Sequence, residues 1–81
     1  MRSDFRRAAF EALEQVVREG DQVLVIDLAA TQEVDAAGLG LLLLLEKQGR
    51  ESSVRLRLIN VRERVRSLLV VTRLDRRFEI A

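Results

Sequence analysis

The chain is marked first by what it lacks. It contains no cysteine, histidine, tryptophan, tyrosine or proline. Without cysteine there are no disulfides, thiolate metal sites or thiol nucleophiles. Without histidine the commonest general base and metal ligand are gone, and with them every Ser-His arrangement. Net charge is also small: 14 basic against 13 acidic residues leave +1. No whole-molecule field therefore draws the chain to nucleic acid or to an anionic membrane. The longest apolar stretch, Val34 to Leu45, is broken by Asp35, and its uncharged part is about half of the roughly 20 residues that a spanning helix needs. The N-terminus lacks the apolar region of a signal peptide, so a cytoplasmic protein without membrane insertion is expected. A binding or regulatory module is favoured over an enzyme. No catalytic residue, cofactor or metal is expected.

What is present fits a single small globular domain over residues 1–81, with 48% hydrophobic and 33% charged residues. Ser3 or Asp4 can cap a first helix, in which Phe5, Ala9, Ala12, Leu13 and Val16 recur at helical spacing and Gly20 supplies the stop. Val23–Leu28 is a short, β-branched apolar run, read as a buried parallel strand. Asp35 is placed to cap a second helix that runs to about Gln48 and stops at Gly49. Val54-Arg55-Leu56-Arg57-Leu58 alternates strictly and predicts a strand with one apolar face. Asn60 is read as the cap of a third helix whose inner face carries Val61, Val65, Leu68, Leu69 and Thr72, and Arg77–Ile80 as a last strand.

The order is α-β-α-β-α-β, an α/β fold with a small, mainly parallel sheet. Helices on both faces would bury Arg55 and Arg57 without partners, at a cost of several kcal/mol. The helices are therefore expected on one face only. Leu39 and Leu41–Leu45 go most of the way round the second helix, so the surplus leucines form an interface or a covered second side; an interface is the favoured reading. Arginines from Arg55 to Arg77 give the C-terminal half a basic bias. A solvated face accounts for it, with an acidic protein partner as the alternative. Nucleic acid is not expected, because no exposed aromatics are at hand for stacking.

The segment joining Asp27-Leu28-Ala29 to Val34-Asp35-Ala36-Ala37-Gly38-Leu39-Gly40 resembles the STAS domain (sulphate transporter and anti-sigma factor antagonist). So do Gly49, Asn60-Val61, Val65-Arg66-Ser67-Leu68-Leu69 and Leu74-Asp75-Arg76-Arg77-Phe78, in the family's order along nearly the whole chain. The resemblance implies a STAS-like sheet with helices on one face and a regulatory role through protein contacts. In anti-sigma factor antagonists a serine at the second helix's start is phosphorylated by a partner kinase that is also the anti-sigma factor. A phosphate adds about −1.5 to −2 charges to the contact surface.

The positions matching that acceptor are Ala37 and its neighbour Ala36. Neither has a hydroxyl, so the usual switch cannot operate there, and Thr31 is the nearest remaining candidate. Three readings follow: a binder held permanently in the unphosphorylated-like state, a member whose partner is not a kinase (such as a lipid-transport ABC assembly), or an engineered or degenerate copy. The expected partner is thus an anti-sigma factor or serine-kinase-like protein, or a transporter ATPase. The expected contact residues are Thr31, Asp35, Ala36, Ala37, Gly38, Leu39 and Leu42. STAS domains usually begin with strands before the first helix; here the Val23–Leu28 edge has no such neighbour, and a homodimer through it is expected.

Overall fold

The computed structural model describes residues 3–81, with side chains from Phe5 onward. Helix α1 spans Ser3–Arg18, strand β1 Val23–Asp27, helix α2 Ala36–Glu51, strand β2 Arg55–Ile59, helix α3 Glu63–Val71 and strand β3 Glu79–Ile80. A short 3₁₀ turn at Leu74–Arg76 precedes β3. The cap expected at Ser3 or Asp4 rests on side chains outside the described residues. The sheet order is β1-β2-β3 with both pairings parallel. Residue 77 of the expected last strand belongs to the turn, and Phe78 is buried beside it.

The alternation in β2 decides the layering. Leu24 pairs with Leu56 and Ile26 with Leu58, and all four are buried. The opposite face carries Val25, Asp27 and Arg55, all exposed, and Arg57, which is partly so. There Arg57 reaches across to Glu79 on β3 at 3.0 Å. Guanidinium groups on that face stay in water and form a surface pair, worth at most about 1 kcal/mol. The helices pack on the other face, α1 over β1 and α2 over β2 beside α1.

That arrangement places most of the leucine run in the core. Leu41, Leu42 and Leu45 are buried, and Leu39 and Leu43 pack against the same core. Leu44 is half-buried and, with Leu43 and Leu74, lines a groove toward the 3₁₀ turn. α2 packs against β2 and α1, which accounts for Leu41, Leu42 and Leu45 and leaves Leu43 and Leu44 partly exposed along that groove. On α1 the inner face includes Phe10, half-buried, and leaves Ala12 exposed.

The two glycines that the sequence marks as helix stops, Gly20 and Gly49, play different roles. Gly20 has φ +74°, and the amides of Gly20 and Asp21 donate to the carbonyls of Val17 and Val16, a left-handed helix end that needs no Cβ. Gly49 is no stop: α2 continues through it to Glu51, and Ser53 takes the left-handed conformation at φ 60°. A Cβ on Gly49 would lie 2.8 Å from the Val54 carbonyl oxygen and 3.0 Å from Leu56 Cδ1, so glycine lets α2 approach β2. Gly49→Ala is expected to cost about 1–3 kcal/mol by overpacking, measured as a lower urea midpoint at unchanged m-value. The same substitution at exposed Gly40, which has nothing within 4 Å, should stabilise the helix slightly.

The start of α3 also differs from expectation. Asn60 is not its cap: it sits at φ 53°, a conformation asparagine tolerates, and turns its side chain to Asp27. The capping position falls to Arg62. Thr72, assigned to the inner face, is exposed, and its hydroxyl donates to the Leu68 carbonyl at 2.7 Å.

Candidate functional site

The candidate site is the loop from Leu28 to Val34 and the first turn of α2, at the C-terminal end of the parallel strands. Leu28 anchors the loop: it is fully buried, and its amide donates to the Ile59 carbonyl at 3.0 Å. Thr31 closes a turn onto Leu28 by donating its amide at 3.0 Å. At the far end Asp35, in extended conformation, caps α2. Its carboxylate accepts from the Gly38 amide at 2.7 Å, the arrangement an acidic cap provides for an otherwise unpaired helix donor, worth about 1 kcal/mol.

Of the residues expected to meet a partner, Asp35, Ala36 and Ala37 are exposed together, with Thr31 and Leu39 half-buried beside them. Gly38 is buried, and Leu42 is fully buried in the core. Leu42 and Gly38 therefore offer no surface in this conformation. The helical period turns both toward the sheet, three and seven residues after the cap, while positions 36 and 37 point outward.

Sequence reasoning did not find the groups that hold this loop. Arg62 Nε donates to the Ala29 carbonyl at 2.6 Å, and Arg64 pairs with Glu33. Asp27 Oδ1 accepts from the Ala29 amide at 2.9 Å and from Asn60 Nδ2 at 3.2 Å. The start of the loop is thus tied to the segment between β2 and α3, and Glu33 near its far end to the first turn of α3. No local pattern announces contacts between residues some 31–33 positions apart; only the spent role of Asn60 hints at them.

The Asp27 carboxyl is held below its ordinary value of 3.8, first by the Ala29 amide and then by Asn60. A lowered folded-state pKa stabilises the fold above the unfolded value, and that contribution disappears as pH falls from about 3.8 through the lower folded value. Denaturant titrations of wild type and Asp27→Asn should therefore differ at pH 7 and converge in strong acid. A difference that persisted unchanged to pH 2 would remove the carboxylate from the account.

Chemically the site offers an acidic cap, a small-residue surface and a loop held by arginines. It has no hydroxyl at 36 or 37. Among the described residues, no group of three or more His, Cys, Asp or Glu side chains is placed to hold a metal, and no helix is long and apolar enough to cross a membrane.

This architecture is shared with solved structures. Over 95% of its length the chain superposes on the solution structure of the protein TM1081 with a TM-score of 0.74 at 23% identity. It spans 59% of that protein. In the crystal structure of the Thermotoga maritima protein, provisionally described as an anti-sigma factor antagonist, the TM-score is 0.66 at 25% identity, covering 91% of this chain and 67% of the other. Among curated proteins none matches. The family model described as "Mlab, STAS domain" matches residues 1–80. With that match over almost its full length and the fold it shares, the chain belongs to the STAS domain family.

Proposed function

We propose that the chain is a non-enzymatic regulatory module of the anti-sigma-antagonist type, which binds a kinase-like or anti-sigma partner through the start of α2 and is not phosphorylatable at the usual position. The carrying observation is the exposed Asp35-Ala36-Ala37 turn, capped by its own carboxylate and presented on a loop held at two points by Arg62 and Arg64. Small side chains there allow close approach by a partner, and Thr31 and Leu39 flank the contact. Thr31 is the single hydroxyl between residues 29 and 40.

The experiment is co-purification with identification of the bound protein, followed by incubation with ATP. A histidine-kinase-like ATPase that binds the wild-type chain without labelling it, and labels Ala37→Ser, supports this reading. Phosphate on Thr31 of the wild-type chain sinks the claim of a silent site. A second reading is a cytoplasmic STAS subunit of a lipid-transport ABC-type assembly, since the matching family model is described as a STAS domain and its description names no antagonist. Recovery of an ABC ATPase selects that one.

The module is further read as a homodimer through β1. Among the described residues the outer edge of β1 pairs with no strand, its Val25 is 49% exposed, and no lysine or proline guards it. Sedimentation at micromolar concentration should give twice the monomer mass; a clean monomer counts against the pairing.

A further inference from the structure

One stripe of α2 is covered only in part. Gly40, Leu43, Leu44 and Lys47 recur along it at i, i+3, i+4 and i+7, and with Leu74 of the 3₁₀ turn they line a groove of about 430 Å³. Leu43, Leu44 and Leu74 are half-buried, so each keeps apolar surface in water. Gly40 is exposed. Glycine weakens a helix interior through its backbone freedom, and at Gly49 the nearness of β2 explains it. At Gly40 a Cβ would meet nothing within 4 Å, so nothing inside the chain calls for glycine there. A surface seated on the groove from outside would.

The rim carries one sign of charge. Lys47, Arg50 and Arg77 are exposed and line the groove, and no carboxylate does. Arg50 has Glu46 3.8 Å away on its own helix. Lys47 and Arg77 have no ion pair among the described residues. An apolar floor under a cationic rim selects a partner segment with one apolar and one acidic side. Neither wall offers a strand edge, because α2 is helical along the whole groove and the Arg77 amide already donates to the Leu74 carbonyl at 3.0 Å. The incoming segment must therefore satisfy its own backbone groups, as a helix does.

We propose that this groove docks an acidic amphipathic helix of a protein partner. The helix lays its apolar side chains on Leu43, Leu44 and Leu74, sets carboxylates against Lys47 and Arg77, and passes its backbone close over Gly40. This contact is separate from the one assigned to the start of α2 and stands without it.

The test is an amide-resolved NMR titration of the intact chain with a synthetic peptide about four turns long. It carries leucines at i, i+3, i+4 and i+7, flanked by glutamates. One control replaces the glutamates with lysines; a second keeps the composition and scrambles the order, so that the leucines no longer share a face. The glutamate peptide is expected to give saturable shifts at Gly40, Leu43, Leu44, Lys47 and Leu74, and to bind at least about ten-fold more tightly than either control. Lys47→Glu with Arg77→Glu should reverse the preference between the glutamate and lysine peptides. Gly40→Leu should fold at least as well as wild type and bind roughly ten-fold more weakly. The proposal is overturned if the millimolar glutamate peptide leaves these amides unmoved, if either control binds as tightly, or if Gly40→Leu binds like wild type. Shifts confined to residues 35–37 would place the helix at the α2 start and overturn it, leaving that contact intact. Phosphatidylglycerol vesicles that shift the same amides where the peptide does not would assign the groove to a lipid surface. Shifts there that depend on protein concentration without any peptide would assign it to a second copy. Either result overturns the proposal.

Discussion

Leu42→Ala is expected to destabilise the chain by about 2–5 kcal/mol. Leu42 is fully buried, among Leu41, Leu45 and the sheet leucines of one continuous core. Alanine would remove the transfer free energy of the lost carbons and leave a cavity that the surrounding side chains only partly close. A domain of this size has a total stability of only about 4–12 kcal/mol, so the loss is a large share of the whole. Thermal unfolding followed by circular dichroism should show Tm lowered by roughly 10 °C or more. Partner capture by the folded fraction should be unchanged. A variant of wild-type stability that no longer captured its partner would return Leu42 to the contact surface and remove it from the core.

Ala37→Glu is expected to do the opposite. Ala37 is exposed in the first turn of α2, two residues after the Asp35 cap, where a carboxylate is accommodated by the unpaired amides and the positive helix end. Stability should stay within about 0.5 kcal/mol of wild type. At a partner interface the same charge is desolvated without a designed counter-ion, which costs several kcal/mol, so affinity should fall by ~100-fold or more. Ala37→Ser, with no charge, should bind close to wild type until it is phosphorylated. Titration calorimetry against the identified partner reads both variants, and undiminished binding by Ala37→Glu would move the interface away from the α2 start. The pair of substitutions separates two residues that lie five positions apart in one motif and that the sequence alone had grouped together.

That grouping marks where the sequence stopped being legible. The Asp35 cap was readable because capping is local: a short acidic side chain before a run of small and apolar residues has one nearby donor to serve. The exposed Arg55 and Arg57 face was readable because strand alternation is local and buried guanidinium groups are costly. Gly49 looked like a helix stop because glycine commonly is one. Its actual role depends on how near Val54 and Leu56 come, and no window around residue 49 contains that distance. Asn60 looked like a cap for the same kind of reason, and its partner is Asp27, 33 positions away.

The element order, the parallel sheet with one helical face and the family were determined by the sequence itself. Periodicity, capping residues and the cost of burying charge act within a few residues of chain. The tertiary structure alone decided which motif residues have a surface, which arginines hold the loop, and that Leu74 comes to share a groove with Gly40 and Leu43. Those are matters of non-local approach. They depend on where α2 settles against β2 and where the 3₁₀ turn lies beside it, and packing contacts set those positions, not the local propensity of any segment.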